Sequence, residues 1–93
     1  MNYLINGKIY IRWSRKKNSI YIVGTKKYLA DMETLMKEHF WIRYFEKGNF
    51  SVSRWVLRKK CRIDRFERGM ESIRKLGFKI EMLETIGKGV LWW

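Results

Sequence analysis

The chain has 93 residues and a formal net charge of +12 at pH 7, from 21 Lys and Arg against 9 Asp and Glu. A chain of this length supports one small hydrophobic core, and its 46% hydrophobic content excludes wholesale disorder. One cysteine excludes an intramolecular disulfide, and no apolar run approaches the roughly 18 residues of a membrane-spanning helix. We therefore predict a single basic domain over residues 1–93, inside the cell and not secreted.

The first part of the chain predicts a β-hairpin followed by a third strand. Asn6-Gly7 supplies the two positive-φ positions of a type I′ turn between residues 3–5 and 8–13. Residues 8–13 alternate between apolar and polar side chains, which is the period of a strand with one buried face. After a basic loop, residues 19–23 form another β-like run.

Two later segments have the apolar spacing of helices. Thr25 is suited to cap a helix over residues 25–40. Residues 64–76 predict a second helix, with Asp64 as its N-cap and Gly77 just after its end. The apolar stripes are Leu29, Met32, Leu35, Met36 and Phe40 in the first helix and Phe66, Met70 and Ile73 in the second.

The remaining segments are less regular. Residues 41–45 alternate loosely and predict a short strand, and residues 46–49 predict a turn. Residues 50–60 fit either a strand or a helix, and the pattern does not decide between them. Residues 78–84 alternate as a strand, and a Gly-Lys-Gly turn before residues 90–93 predicts a C-terminal hairpin. The expected fold is therefore α+β, with two main helices and a hairpin at each end.

Basic residues concentrate in two clusters, and the denser one spans residues 54–68, with seven Lys or Arg in fifteen positions. Such a cluster is suited to binding phosphates, because each phosphate that a Lys or Arg neutralises releases condensed counterions. On the second helix the helical period places Arg65, Arg68 and Lys75 on one side, away from the apolar stripe. We predict that this side approaches the bases of a nucleic acid, while neighbouring cations hold phosphates. These predicted phosphate contacts are Arg58, Lys59, Lys60, Arg62 and Lys88.

The second cluster lies at the mouth of the N-terminal hairpin. Tyr10 and Trp13 fall beside its cations, where aromatic rings stack on bases or sugars. The same two rings also suit the hydrophobic core, and the sequence leaves both interpretations open. The cations of this cluster are Arg12, Arg15, Lys16 and Lys17.

The segment from Cys61 to Ile80 resembles the recognition-helix end of winged helix-turn-helix domains. The glycine that follows the recognition helix in that family corresponds to Gly77, and the glycine of its wing corresponds to Gly89. The resemblance covers residues 51–93 and implies that the second predicted helix lies in a major groove, with the C-terminal hairpin as wing. The apolar positions of the family correspond to Cys61, Phe66, Met70 and Ile73.

Motifs for catalysis are missing from the sequence. One His (His39), one Cys (Cys61) and two Asp do not cluster, whereas a metal site needs clustered ligands. The run Gly87-Lys88-Gly89 is too short to cradle a phosphate. We therefore predict a protein that is not an enzyme and that holds no metal or cofactor.

These patterns predict a non-catalytic protein that binds nucleic acid, with duplex DNA as its first partner and no membrane contact. Two alternatives stay open. One is an RNA-binding or ribosome-associated protein. The other is a small viral or mobile-element protein that binds a host protein or nucleoprotein complex, which the proline-free, isoleucine-rich composition also fits. Trp92 and Trp93, in the predicted C-terminal hairpin, either pack on their own core or form a homodimer interface.

Overall fold

A computed structural model describes residues 1–83 as an α+β fold, which confirms the predicted class. The first strand of the predicted C-terminal hairpin is present over Ile80–Leu83, whereas its turn and second strand, with Lys88, Gly89 and the two final tryptophans, lie outside the described residues. Six strands and two helices follow one another as β1 (Asn2–Ile5), β2 (Ile9–Ser14), β3 (Ser19–Thr25), α1 (Lys26–Phe40), β4 (Glu46–Asn49), β5 (Arg54–Lys60), α2 (Ile63–Lys75) and β6 (Ile80–Leu83).

The six strands form one antiparallel sheet in the order β4-β5-β3-β2-β1-β6. The predicted N-terminal hairpin is present as β1 and β2. Asn6 and Gly7 have φ values of 52° and 66°, as the type I′ turn requires. The third strand then continues the sheet beside β2 and runs two residues further than predicted, to Thr25.

Both helices pack on one face of the sheet and bury the core between the two layers. The Phe40 and Phe66 rings stack with their centroids 5.9 Å apart, which joins the end of α1 to α2. Gly69 allows this approach, because a Cβ at that position would collide with the Phe40 ring. The buried helical side chains are Leu29, Met36 and Phe40 from α1 and Phe66, Met70 and Ile73 from α2.

The helix ends agree only in part with the predictions. The Oγ1 of Thr25 accepts a hydrogen bond from the backbone N–H of Tyr28 at 3.3 Å, which confirms the α1 N-cap. The α2 N-cap is Arg62 and makes no side-chain capping bond, so the prediction of Asp64 as cap is wrong. Asp64 lies instead in the first turn of α2, where its negative charge interacts favourably with the positive end of the helix dipole. Gly77 has a φ of 93° after the helix, as predicted.

Three assignments in the middle of the chain need correction or completion. Residues 41–45 form no strand; Ile42 and Phe45 are buried and fix this segment as a loop against the core. Residues 46–49, predicted to be a turn, form β4, which lies at the edge of the sheet described for residues 1–83 and pairs with β5. The ambiguous segment before α2 contains the strand β5, because Leu57 enters the core and the strand pairs along its whole length with β3. The segment that precedes α2 is therefore a strand and not a helix.

Candidate nucleic-acid interface

The pairing register gives the two faces of the sheet different side chains. Residues that pair across antiparallel strands point to the same face. Ile22 and Leu57 are paired and fully buried towards the helices. The adjacent residues Arg12, Tyr21 and Arg58 are also paired in one row and point to the opposite face. We call this opposite face the open face. Its residues on the four strands β2 to β5 are Tyr10, Arg12, Ser14, Ser19, Tyr21, Val23, Thr25, Glu46, Gly48, Arg54, Val56, Arg58 and Lys60.

A short apolar strip crosses the middle of the open face. Val23 is fully buried but does not belong to the core cluster under the helices. Its partners across the strands are Tyr10 on β2 and Val56 on β5. The strip explains how a valine on a largely polar face is shielded from water.

The net charge divides unevenly between the helices and the rest of the described chain. The helices are nearly neutral, with seven basic and six acidic residues: Lys26, Lys27, Lys37, Arg65, Arg68, Arg74 and Lys75 against Asp31, Glu33, Glu38, Asp64, Glu67 and Glu71. The strands and loops of residues 1–83 hold thirteen basic and two acidic residues: Lys8, Arg12, Arg15, Lys16, Lys17, Arg43, Lys47, Arg54, Arg58, Lys59, Lys60, Arg62 and Lys79 against Glu46 and Glu81. The positive net charge of residues 1–83 therefore lies mainly on the strands and loops and not on the helices.

The basic loop between β2 and β3 is held at fixed positions. The Oγ of Ser14 accepts a hydrogen bond from the backbone N–H of Lys17 at 3.3 Å, and the Oγ of Ser19 donates to the Lys17 carbonyl at 2.8 Å. The carbonyl of Asn18 accepts a further bond from the backbone N–H of Cys61 at 3.0 Å. The side chains of residues 15–17 are exposed. The loop thus presents its cations from an anchored backbone, which reduces the ordering cost of binding an anion.

Two adjoining grooves collect the cations at this end of the open face. A cavity of about 590 Å³ is lined by Lys16, Lys17, Arg58, Lys59 and Lys60, together with Tyr21. A neighbouring cavity of about 450 Å³ shares Lys16, Lys17, Tyr21 and Arg58 and adds Arg12 and Phe50. Glu46 is the acidic residue that lines the first groove, and its Oε1 lies 3.4 Å from the Arg58 Nε. The grooves therefore keep a clear excess of positive charge.

A second cationic region lies at the opposite end of the sheet, where the strand ends meet the start of α1. Lys8, Lys27 and Arg54 line a cavity of about 530 Å³ that also includes Asp31. Arg54 and Lys60 are six residues apart on β5, and a strand rises about 3.3 Å per residue. The two cationic ends are thus separated by about 20 Å, with the apolar strip between them.

The predicted groove side of α2 is partly occupied by contacts with the end of α1. The Arg65 guanidinium lies 3.6 Å from the centroid of the Trp41 ring. The Oγ of Ser72, on the same side of the helix, lies 2.6 Å from Nδ1 of His39. Arg68 and Lys75 are exposed, but they belong to the helix layer and lie across the sheet from the basic grooves. The structure therefore leaves Arg68 and Lys75 apart from the cations of the sheet, whereas Arg65 lines a cavity together with Lys60 of β5.

The remaining predicted contacts are divided between several environments. Arg58 and Lys60 join Lys16 and Lys17 at the first groove. The Lys59 Nζ lies 4.0 Å from the centroid of the Tyr44 ring, although this lysine also borders the groove. The Arg62 Nε lies 3.6 Å from an Asp64 carboxylate oxygen.

Trp13 packs in the core and is not available for stacking on bases, so of the two interpretations left open by the sequence the structure supports core packing for this ring. It is 8% exposed, and its indole Nε1 donates to the Cys61 carbonyl at 2.7 Å. The strand period places Trp13 on the same face as Ile9 and Ile11, which is the face under the helices. Burial raises the pKa of the Cys61 thiol to about 11, against a smaller lowering by the Arg65 charge, so this cysteine is a packing residue.

Sequence reasoning missed Tyr21 and Phe50 as residues of the surface, and it counted Arg54 in the dense basic cluster without naming it as a contact. Tyr21 and Arg54 share the open face with Arg12 because the strand register aligns their positions. The alternation in β2 and β3 was a usable signal for Tyr21, whereas the pairing of β3 with the distant β5 was not readable from local pattern.

Comparison of the chain with protein-family models, curated proteins and solved structures finds no match. Within residues 1–83, no group of three or more His, Cys, Asp or Glu side chains is arranged to hold a metal ion. The same part of the chain includes no helix that is long and apolar enough to cross a membrane. The chemistry of this surface is therefore argued from its charge and geometry.

Proposed function

We propose that the protein binds nucleic acid and that the open face of the sheet is its binding surface. The observation that carries this proposal is the division of charge, with thirteen basic against two acidic residues on the strands and loops of residues 1–83. Such an excess of positive charge self-repels unless a polyanion neutralises it. This proposal moves the expected surface away from α2, where the winged-helix resemblance put it.

The arrangement of the open face favours a duplex as the ligand. Cations stand at two ends about 20 Å apart, a span that reaches phosphates on both sides of a major groove about 12 Å wide. Between them lie Tyr10 and Val56, the partly exposed residues of the apolar strip, which suit contact with base edges and thymine methyl groups better than with phosphates. Strands enter the major groove in other sheet-reading proteins, so the geometry has a physical precedent.

The first experiment measures affinity for a duplex DNA of about 20 base pairs across ionic strength. With about six to eight phosphate contacts, log K should fall with log salt at a slope of about −5 to −7, because each contact on B-DNA contributes about −0.9. A slope shallower than about −2 would contradict nucleic acid as the main partner.

A matched pair of double variants then locates the surface. Lys16→Ala with Lys17→Ala removes two exposed cations from the groove, and Arg68→Ala with Lys75→Ala removes two exposed cations from α2. Because both lose two charges, long-range attraction falls equally. At fixed salt we expect the loop pair to weaken binding by about tenfold or more and the helix pair by less than about threefold. The reverse order would restore α2 as the recognition helix.

A duplex RNA of the same sequence separates DNA from RNA. The major groove of A-form RNA is deep and narrow, and side chains on a broad sheet do not reach its base edges. We expect duplex DNA to bind more tightly at the same salt concentration. Tighter binding of the RNA duplex would favour the RNA-binding alternative.

A further inference from the structure

Two large aromatic side chains are exposed in the loop that follows α1. Trp41 is 75% exposed and Tyr44 is 58% exposed, whereas Ile42 and Phe45 from the same loop are buried. The buried pair is sufficient to attach the loop to the core. The outward position of a tryptophan and a tyrosine therefore has no explanation in packing.

Each of these rings carries a cation on one side. The Arg65 guanidinium lies 3.6 Å from the Trp41 centroid, and the Lys59 Nζ lies 4.0 Å from the Tyr44 centroid. A cation on one face of a ring leaves the other face for a second planar group, and the positive charge also attracts a phosphate nearby. Trp41 and Tyr44 thus form two platforms of the kind on which unpaired bases stack. We call Trp41, Tyr44, Lys59, Arg62 and Arg65 the aromatic edge.

The aromatic edge is continuous with the basic grooves of the open face. Lys59 lies over Tyr44 and also borders the groove that contains Lys16 and Lys17. Lys60 lines that same groove and also a cavity of about 290 Å³ beside Trp41 and Arg62. A nucleic-acid strand that leaves the groove at this end therefore meets the two rings next.

We propose that the aromatic edge binds the unpaired nucleotides of a single strand that continues from a duplex on the open face. The preferred ligand is then a duplex with a single-stranded overhang and not a blunt duplex. This inference rests on the proposed function and specifies its substrate. Bases inside a duplex are stacked on one another, so only unpaired bases are free to lie on Trp41 and Tyr44. Stacking accepts any base, so the preference concerns structure and not sequence.

The test compares three ligands with the same 16-base-pair duplex: one blunt, one with four unpaired thymidines at the 3′ ends and one with four at the 5′ ends. We expect one overhang to tighten binding by about tenfold over the blunt duplex, the scale of one stacked base. Trp41→Ala with Tyr44→Ala should bind all three ligands equally and should keep the blunt-duplex affinity within about threefold of the original. Val52→Ala with Leu76→Ala, which truncates two exposed apolar residues outside the edge, should keep the preference.

Trp41 has a φ of 57°, so its substitution also affects the helix end. Trp41→Asn provides a second variant, because asparagine tolerates the left-handed region and has no aromatic ring. It should fold and should lose most of the overhang preference. Equal binding of all three ligands by the original protein, or an overhang preference that survives both ring-removing variants, overturns the inference and leaves the proposed function intact. Failure to bind the blunt duplex at low salt overturns the proposed function itself.

Discussion

The covered and open faces of the sheet are made by alternate residues of the same strands. Ile22 and Leu57 are fully buried under the helices, while Tyr21 and Arg58, one position away in the chain, stand on the open face. A register shift of one residue would exchange the two sets, so the buried face fixes the position of the charged one. Along these strands, residues that stabilise the fold therefore alternate with residues of the proposed binding surface.

The largest effect should come from placing a charge in the core that lies between the covered face and the helices. Met70 is buried against the core cluster, so Met70→Asp introduces a carboxylate without a partner there and should destabilise the fold by about 4 kcal/mol or more. Glu71→Ala, at the next position and exposed, should change the free energy of unfolding by less than about 0.5 kcal/mol. Chemical denaturation measures both. Equal losses of unfolding free energy in the two variants would show that burial of Met70 in this core does not determine stability.

Local pattern was sufficient for those parts of the fold that depend on neighbouring residues. The Asn6-Gly7 hairpin, the cap at Thr25 and the stripe of α2 follow from the turn and from helical periodicity, and the structure confirms them. The strand β4 was missed because Glu46–Asn49 lacks apolar alternation and owes its conformation to pairing with β5. Pairing between distant strands has no local signature.

The sequence predicted many residues of the candidate site but not how the fold brings them together. Arg58 and Lys60 were expected to contact phosphates, and Lys16 and Lys17 were assigned to a separate basic cluster. Their meeting at one groove depends on β3 pairing with β5. Periodicity on α2 correctly separated its cations from its buried stripe. It did not show that Arg65 packs on Trp41, because that contact comes from tertiary structure.

The next effect concerns the reactivity of the thiol on the covered side. Burial raises the pKa of Cys61 to about 11 from an ordinary 9.0, so at pH 8 its thiolate fraction is about a hundredfold lower than in the unfolded chain. Alkylation with iodoacetamide should slow by at least that factor in the native protein compared with the denatured one. Because the unfolded thiol ionises first, stability should also fall as the pH rises above about 9. Native alkylation at the denatured rate would mean that Cys61 and Trp13 do not lie in the core.

A smaller effect on DNA binding should distinguish a charge placed on the open face from an equal charge placed on the helices. Val56→Glu places a carboxylate in the apolar strip, and Thr34→Glu places one on the exposed side of α1. Both change the net charge equally, but only the first opposes phosphates at close range. We expect Val56→Glu to weaken DNA binding by about tenfold and Thr34→Glu by less than about twofold, with folding checked by circular dichroism. Comparable losses would indicate that DNA responds to overall charge and not to the open face.

The smallest effect lies where an acid of the helix layer meets a cation of the sheet. The Glu33 carboxylate on α1 forms a salt bridge with the Nζ of Lys47 on β4 at 2.8 Å. It forms a second one with the Nζ of Lys37 in its own helix at 3.5 Å. Burial acts to raise the pKa of Glu33, but the hydrogen bond and charge of Lys47, with the charge of Lys37, outweigh it and lower the pKa below its ordinary 4.5. A lowered pKa stabilises the folded state above about pH 4.5, and this contribution disappears as the pH falls through the folded-state pKa.

Glu33→Gln should therefore reduce the free energy of unfolding at pH 7 by up to about 1 kcal/mol, which is the range of a partly exposed ion pair. The difference from the original protein should shrink as the pH falls below about 4 and vanish once Glu33 is protonated, because a neutral carboxyl and an amide then face Lys47 alike. Glu38→Gln, an exposed change on the same helix, should show no such convergence. Denaturation midpoints between pH 3 and pH 7 measure this. A difference in stability that stays constant across that range would show that Glu33 stabilises the fold through packing. Its ion pair with Lys47 would then not contribute to holding α1 against β4.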